Sequence, residues 1–133
     1  SEFFADLYSR DWDYLVDLNE HILRGLLDIL MIEVRFESAS NWNFEGQKSE
    51  RVLDMCKKTG AKKFVFGTNG KDYANKEAFE QEHIDIYFQE YNHPKYSQAF
   101  DDFSPYMSVI DLIFNHGPDS FDIIMSGNIT SLK

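Results

Sequence analysis

The chain has one cysteine and three prolines in 133 residues, and its 13 Lys and Arg face 23 Asp and Glu. A lone Cys56 excludes an internal disulfide, so the fold must rest on packing. It also fits a reducing compartment, and with no signal peptide or lipidation motif in view the expected location is the cytoplasm. Ser1-Glu2-Phe3 lacks an initiator Met and reads as a boundary left by a vector or a protease. A net charge of −10 with no basic block excludes a nucleic-acid backbone as partner. No apolar run approaches the length of a membrane span. The sequence holds no GxGxxG, Walker or GxSxG pattern, so nothing names a cofactor. His21, His83, His93 and His116 are scattered, with no i, i+4 pair and no cysteine companion, and no metal site is expected. The acidic pair Asp101-Asp102 has the chemistry to hold a hard cation but reads first as solvated loop charge.

Rings are what the chain has in abundance: twelve Phe, seven Tyr and two Trp. That content excludes disorder and predicts a dense core. The length suits one domain, 1–133. Asp11 is placed to cap a long helix from about Trp12 to Met31, with Leu15, Leu18, Ile22, Leu26 and Leu30 on one face. Ile32 to Glu37 alternates apolar and charged residues, the period of a strand. A second helix is expected near Ser49 to Thr59, burying Val52, Leu53 and Cys56 and ending at Gly60.

The run Lys62 to Phe66 reads as a buried strand, and Ile84 to Glu90 as a third. Between them a short helix from Lys76 to Glu82 is capped by Asn75. Tyr91 to Tyr106 has no periodicity, and loops of that length in compact domains carry function or motion. Ser108 and Asp111 form a capping-box pattern for a helix through Phe114, which Gly117-Pro118 closes before a last helix ending near Gly127. Alternating helices and strands predict an α/β fold, a small three-stranded parallel Rossmann-like sheet with flanking helices. So narrow a parallel sheet points to strands supplied by a missing N-terminal segment or by a second copy in a homo-oligomer.

The candidate site follows the second predicted strand, where Gly67-Thr68-Asn69-Gly70-Lys71-Asp72-Tyr73 crowds glycines and polar groups together. Ligands settle where parallel strands end, and glycines admit close backbone approach. His93 follows the third strand, so a parallel arrangement brings it to the same edge, with Asp72, Tyr73 and Tyr96 as orienting partners for general acid or base work. A backbone cap by His93 and a plain turn at the glycines explain the same residues without function. Arg51, in the first turn of its helix, suits an anionic group or else a surface ion pair to Glu45, Glu50 or Asp54. Cys56 lies on an apolar face away from the helix start and reads as core.

Four blocks in order, Lys48 to Lys57, Gly67 to Tyr73, Gln89 to Tyr96 and Ser108 to Pro118, resemble the WbqC-like protein family over nearly the whole chain. Phe66, Ala74 and His116 depart from the pattern, where a small residue, Leu and Cys are usual. The resemblance implies a bacterial protein of surface-polysaccharide (O-antigen) or amino-sugar biosynthesis, with acyl or amino-acyl transfer to an amino sugar as one activity. It also implies an N-terminal segment with a His-Gln-Pro block, which would make this chain a C-terminal portion, inactive alone. From the placement of the two loops and of Arg51, His93, Asp72 and Tyr73 are the expected catalytic residues, and Arg51, Gly67, Asn69, Gly70 and Tyr96 the expected ligand contacts. The alternative is a non-catalytic module that binds a sugar nucleotide, with Trp42, Tyr91 and Tyr96 stacking on it, or a scaffold for a partner chain.

Overall fold

A computed structural model describes residues 2–128. Along them run α1 (Glu2–Ser9), α2 (Leu15–Ile29), α3 (Lys48–Thr59), β1 (Lys63–Phe66), α4 (Lys76–Gln81), β2 (Asp85–Phe88), α5 (Val109–His116) and α6 (Ser120–Ser126). Short 3-10 turns cover Ala39–Asn41, Thr68–Asp72 and Gly117–Asp119. The contacts gather them into two compact units: residues 2–35 with 95–125, and residues 36–94 with 126–128.

The second unit is an α/β layer. Its strands β1 and β2 pair in parallel, with Lys63 opposite Asp85 and Phe66 opposite Phe88. Phe64, Phe66, Ile86 and Phe88 share one face by the two-residue period, and Cys56, Phe79 and Ile84 close the core there. Phe66 is its centre, packed edge-on against Phe64 and Phe79 at 4.7 and 5.6 Å and stacked on Phe88 at 5.5 Å. The opposite face is open, with Val65 47% exposed. Asn75 caps α4 as its position predicts, accepting from the Ala78 N–H at 3.2 Å. Gly60 ends α3 in the left-handed conformation, at φ 70°.

The described residues hold a sheet of two strands, where three were expected. Ile32 to Glu37 takes no regular secondary structure and joins neither described strand, and Val34 is 59% exposed. Alternation marks a strand only where a neighbour completes the ladder and one face is buried, and this segment has neither.

The first unit is helical. Its longest helix, α2, starts later than Asp11 suggests, after Tyr14, with no side-chain cap. Trp12 is drawn back onto α1 instead, its indole N–H donating to the Leu7 carbonyl at 3.2 Å. Helix α1 was not expected at all; it buries Phe4 and Leu7. Gly25 of α2 makes that packing possible, since a Cβ there would lie 2.2 Å from the Phe3 ring. Helices α5 and α6 follow the sequence closely, with Ser108 Oγ accepting from the Ile110 N–H at 3.3 Å and Gly117 ending α5 at φ 51°.

Candidate functional site

Parallel pairing puts the C-terminal ends of β1 and β2 on one rim, because both strands run the same way. Residues 67–73 leave β1 there, and residues 89–94 leave β2. The two segments are tied together. Gln89 donates its N–H to the Phe66 carbonyl at 2.8 Å, Thr68 Oγ1 donates to the Gln89 carbonyl at 3.0 Å, and Lys71 pairs with Glu90. Thr68, Gln89 and Glu90 were not singled out by sequence. Their polar types inside the quoted blocks were the available signal, but only the ladder shows that they meet.

The two glycines of the loop have different reasons. Gly70 is buried, and a Cβ on it would sit 2.4 Å from Phe66 Cβ, so the 3-10 turn closes over the core only without a side chain. Its N–H is committed to the Gly67 carbonyl at 2.9 Å. Gly67 has an ordinary φ of −68°, and nothing lies within 4 Å of where its Cβ would be. Neither dihedral strain nor crowding requires glycine there. The first N–H groups of such a turn have no acceptor within it, which leaves those of Thr68 and Asn69 directed out of the turn's start. Asn69 and Asp72 are exposed, while Tyr73 is 43% exposed with its ring edge-on to Phe66 at 5.8 Å.

His93 stands at the end of the rim segment, half-buried, with Nδ1 closed off from solvent. Any proton it exchanges with a ligand therefore passes through Nε2. Just before it, the Asn92 N–H donates to the Gly127 carbonyl at 3.0 Å, and Tyr91 covers Gly127 so closely that a Cβ there would fall 2.7 Å from its ring. Burial pushes the Tyr91 phenol up from its usual range.

Arg51 lies exposed in the first turn of α3 and forms no ion pair with a described residue. Of the carboxylates expected to pair with it, Asp54 is taken by Lys58 Nζ and the Glu45 N–H, both at 2.8 Å, and these two contacts, Lys58 first, hold it below the usual carboxylate range. Ser49 at the start of α3 is buried and accepts from the Asn75 N–H at 2.8 Å, which pins the start of α3 to the start of α4. Burial raises the Cys56 thiol, in keeping with a core role.

Tyr96 belongs to the helical unit. Its hydroxyl donates to Asp111 Oδ2 at 2.9 Å, and Gln98 Nε2 donates to the same oxygen at 2.9 Å. Asn115 Nδ2 reaches Asp111 Oδ1 at 3.1 Å, so Asp111 anchors the irregular 95–107 segment to α5. Burial first, then the bond to Asp111, push the Tyr96 phenol up. Among the described residues no group of three His, Cys, Asp or Glu side chains is placed to hold a metal ion. No helix among them is long and apolar enough to cross a membrane.

The chain belongs to the WbqC-like protein family, whose family model matches residues 1–123. A relative from Mycobacterium tuberculosis (strain ATCC 25618 / H37Rv), the uncharacterized protein Rv1507c, is 28% identical over 110 residues, which are 80% of this chain and 47% of the relative. The chain thus spans about half the length of that curated relative. No solved structure matches it.

Proposed function

We propose that this WbqC-like chain carries the ligand rim of a protein acting in bacterial surface-polysaccharide (O-antigen) or amino-sugar biosynthesis, as an acyl or amino-acyl transferase. The observation that supports the reading is the shared rim of β1 and β2, where Thr68 and Gln89 lock two polar segments side by side. In this reading Gly67 and Asn69 present backbone and amide groups to a sugar nucleotide, Gly70 sets the turn, and Arg51 holds an anionic group. Asp72 and Tyr73 orient the ligand or share protons. The amine nitrogen of the acceptor attacks the acyl carbon, and the donor's leaving group departs with the electrons of the broken bond. His93 takes the amine proton through Nε2, and the N–H groups at the start of the 67–73 turn face the oxyanion. A free Cys56 is in keeping with a cytoplasmic site of action. The length of the relative supports a further segment in the full protein that completes the site.

The enclosed Nδ1 of His93 favours a second reading, a module that grips a sugar nucleotide without chemistry. Two measurements separate these. Calorimetric titration of nucleotide-activated amino sugars into the chain should give saturable heat under either reading, and its absence across a panel of such sugars removes both. His93→Ala in a full-length homologue should abolish product formation while leaving binding in place. Undiminished turnover would take His93 out of the mechanism and leave the binding module.

A further inference from the structure

We propose that the free edge of β2 pairs with the β2 of a second copy of this chain, antiparallel about a two-fold axis at Tyr87, to give a continuous sheet in the order β1-β2-β2-β1. The ladder shows which backbone groups are available. Asp85 donates its N–H to the Lys62 carbonyl at 2.9 Å and Gln89 to the Phe66 carbonyl at 2.8 Å, so residues 85, 87 and 89 face β1. By alternation Ile86 and Phe88 turn their N–H and C=O groups the other way, where no described residue accepts from them. A cleft of about 460 Å³ lies alongside, lined by Lys76, Glu80, His83, Ile84, Asp85 and Ile86.

The two edges of the sheet differ. β1 opens with Lys63, directly after Lys62, the kind of charge that blunts an edge against pairing. β2, past Asp85, carries Ile86, Tyr87 and Phe88, with neither Lys nor Pro to discourage a neighbour. A two-stranded sheet is also marginal for its size, and doubling it remedies that.

Charge singles out a second copy as the occupant. At a net −10 the chains repel one another overall, so self-association needs a patch carrying both signs. The cleft does: Lys76 lies at the start of α4, 5.3 Å from the Phe88 ring at the far end of β2, and Glu80 lies a turn further on. An antiparallel two-fold reverses that order, so Lys76 faces the partner subunit's Glu80 and the reciprocal pair forms as well. Ile86 and the partner subunit's Phe88 exchange two ladder bonds, repeated by symmetry. The tyrosines at position 87 then meet across the axis as a cross-strand aromatic pair.

Sedimentation equilibrium on the chain should give twice its 15.6 kDa, with Lys76→Glu and Glu80→Lys each raising the dissociation constant about tenfold. Both reversals together should restore the wild-type constant, because opposite signs again meet across the axis. Tyr87→Lys should leave a monomer with an unchanged far-UV spectrum. The charge swap, on exposed helix positions, decides the matter even if Tyr87→Lys disturbs folding. A wild-type mass of one chain at the highest soluble concentration overturns the proposal, as does a dimer indifferent to both single reversals or one the double variant fails to restore.

Discussion

The α/β unit and the helical unit hold their irregular segments in different ways. In the first, the 67–73 turn lies on a core of rings: Gly70 presses on Phe66, and Phe66 on Phe64, Phe79 and Phe88. In the second, residues 95–107 have no regular structure and are held by side-chain hydrogen bonds converging on Asp111, with Gln98 also bonded both ways to the Ser104 backbone at 3.0 and 2.8 Å. Burial is non-directional and strong in sum, whereas each polar contact contributes only about 0.5–1.5 kcal/mol. The glycine turn should therefore be the stiffer of the two, and the 95–107 segment the first to open.

The comparison can be broken most forcefully at Phe79, which is fully buried. Phe79→Ala should cost about 3–5 kcal/mol in urea unfolding and unlock the 67–73 turn along with the core. If hydrogen exchange in that turn stays slow, the turn does not depend on the rings. Next comes Gly70→Ala, whose methyl group would meet Phe66 at 2.4 Å. A loss of about 1–3 kcal/mol is expected, from overpacking. Gly67→Ala, in open space and at ordinary φ, should leave stability unchanged, and any loss of ligand binding by it alone would mark Gly67 as a contact.

A smaller effect is expected at Tyr96. Tyr96→Phe should cost about 1 kcal/mol and speed proteolysis within 95–107, leaving the α/β unit untouched. Its phenol is raised above the usual value of about 10 by burial and by Asp111. The folded state thus favours the protonated form, and the contribution is complete below pH of about 10 and lost as pH rises through the raised value. An alkaline melting series should show that loss in the wild type and not in Tyr96→Phe. Smallest is the acid counterpart at Asp54, whose carboxyl is held low by Lys58 and the Glu45 N–H. Its contribution is present above the ordinary carboxylate value and disappears as pH falls through the lowered one. In Asp54→Asn the tether of residues 43–45 to α3 should no longer respond to acid, as read by amide shifts there.

Much of this was visible in the residues. Helix α3, its glycine stop, the Asn75 cap, both strands of the α/β unit, the irregular 91–106 stretch and the helix after Ser108 follow local rules of capping, period and turn chemistry. The rim also followed, because βαβ units run their strands in parallel. Less visible were α1, hidden in a stretch that looked like a cloning boundary, and the start of α2, where a bond from Trp12 to Leu7 overrode the Asp11 cap. The spacing of Lys76 and Glu80 at a helical interval could have marked one face of α4, but nothing local says that this face borders an open strand edge.

What neighbouring residues settle among themselves, such as where a helix stops at Gly60 or turns at Gly117, was readable one residue type at a time, since dihedral preference and capping act over a few positions. Whether Ile32 to Glu37 becomes a strand, why Gly70 and not Gly67 must be glycine, and which carboxylate Tyr96 meets are matters of partners far away in the chain. A ladder, a steric contact or a hydrogen bond exists only once its second half arrives, and that arrival is the work of the folded core.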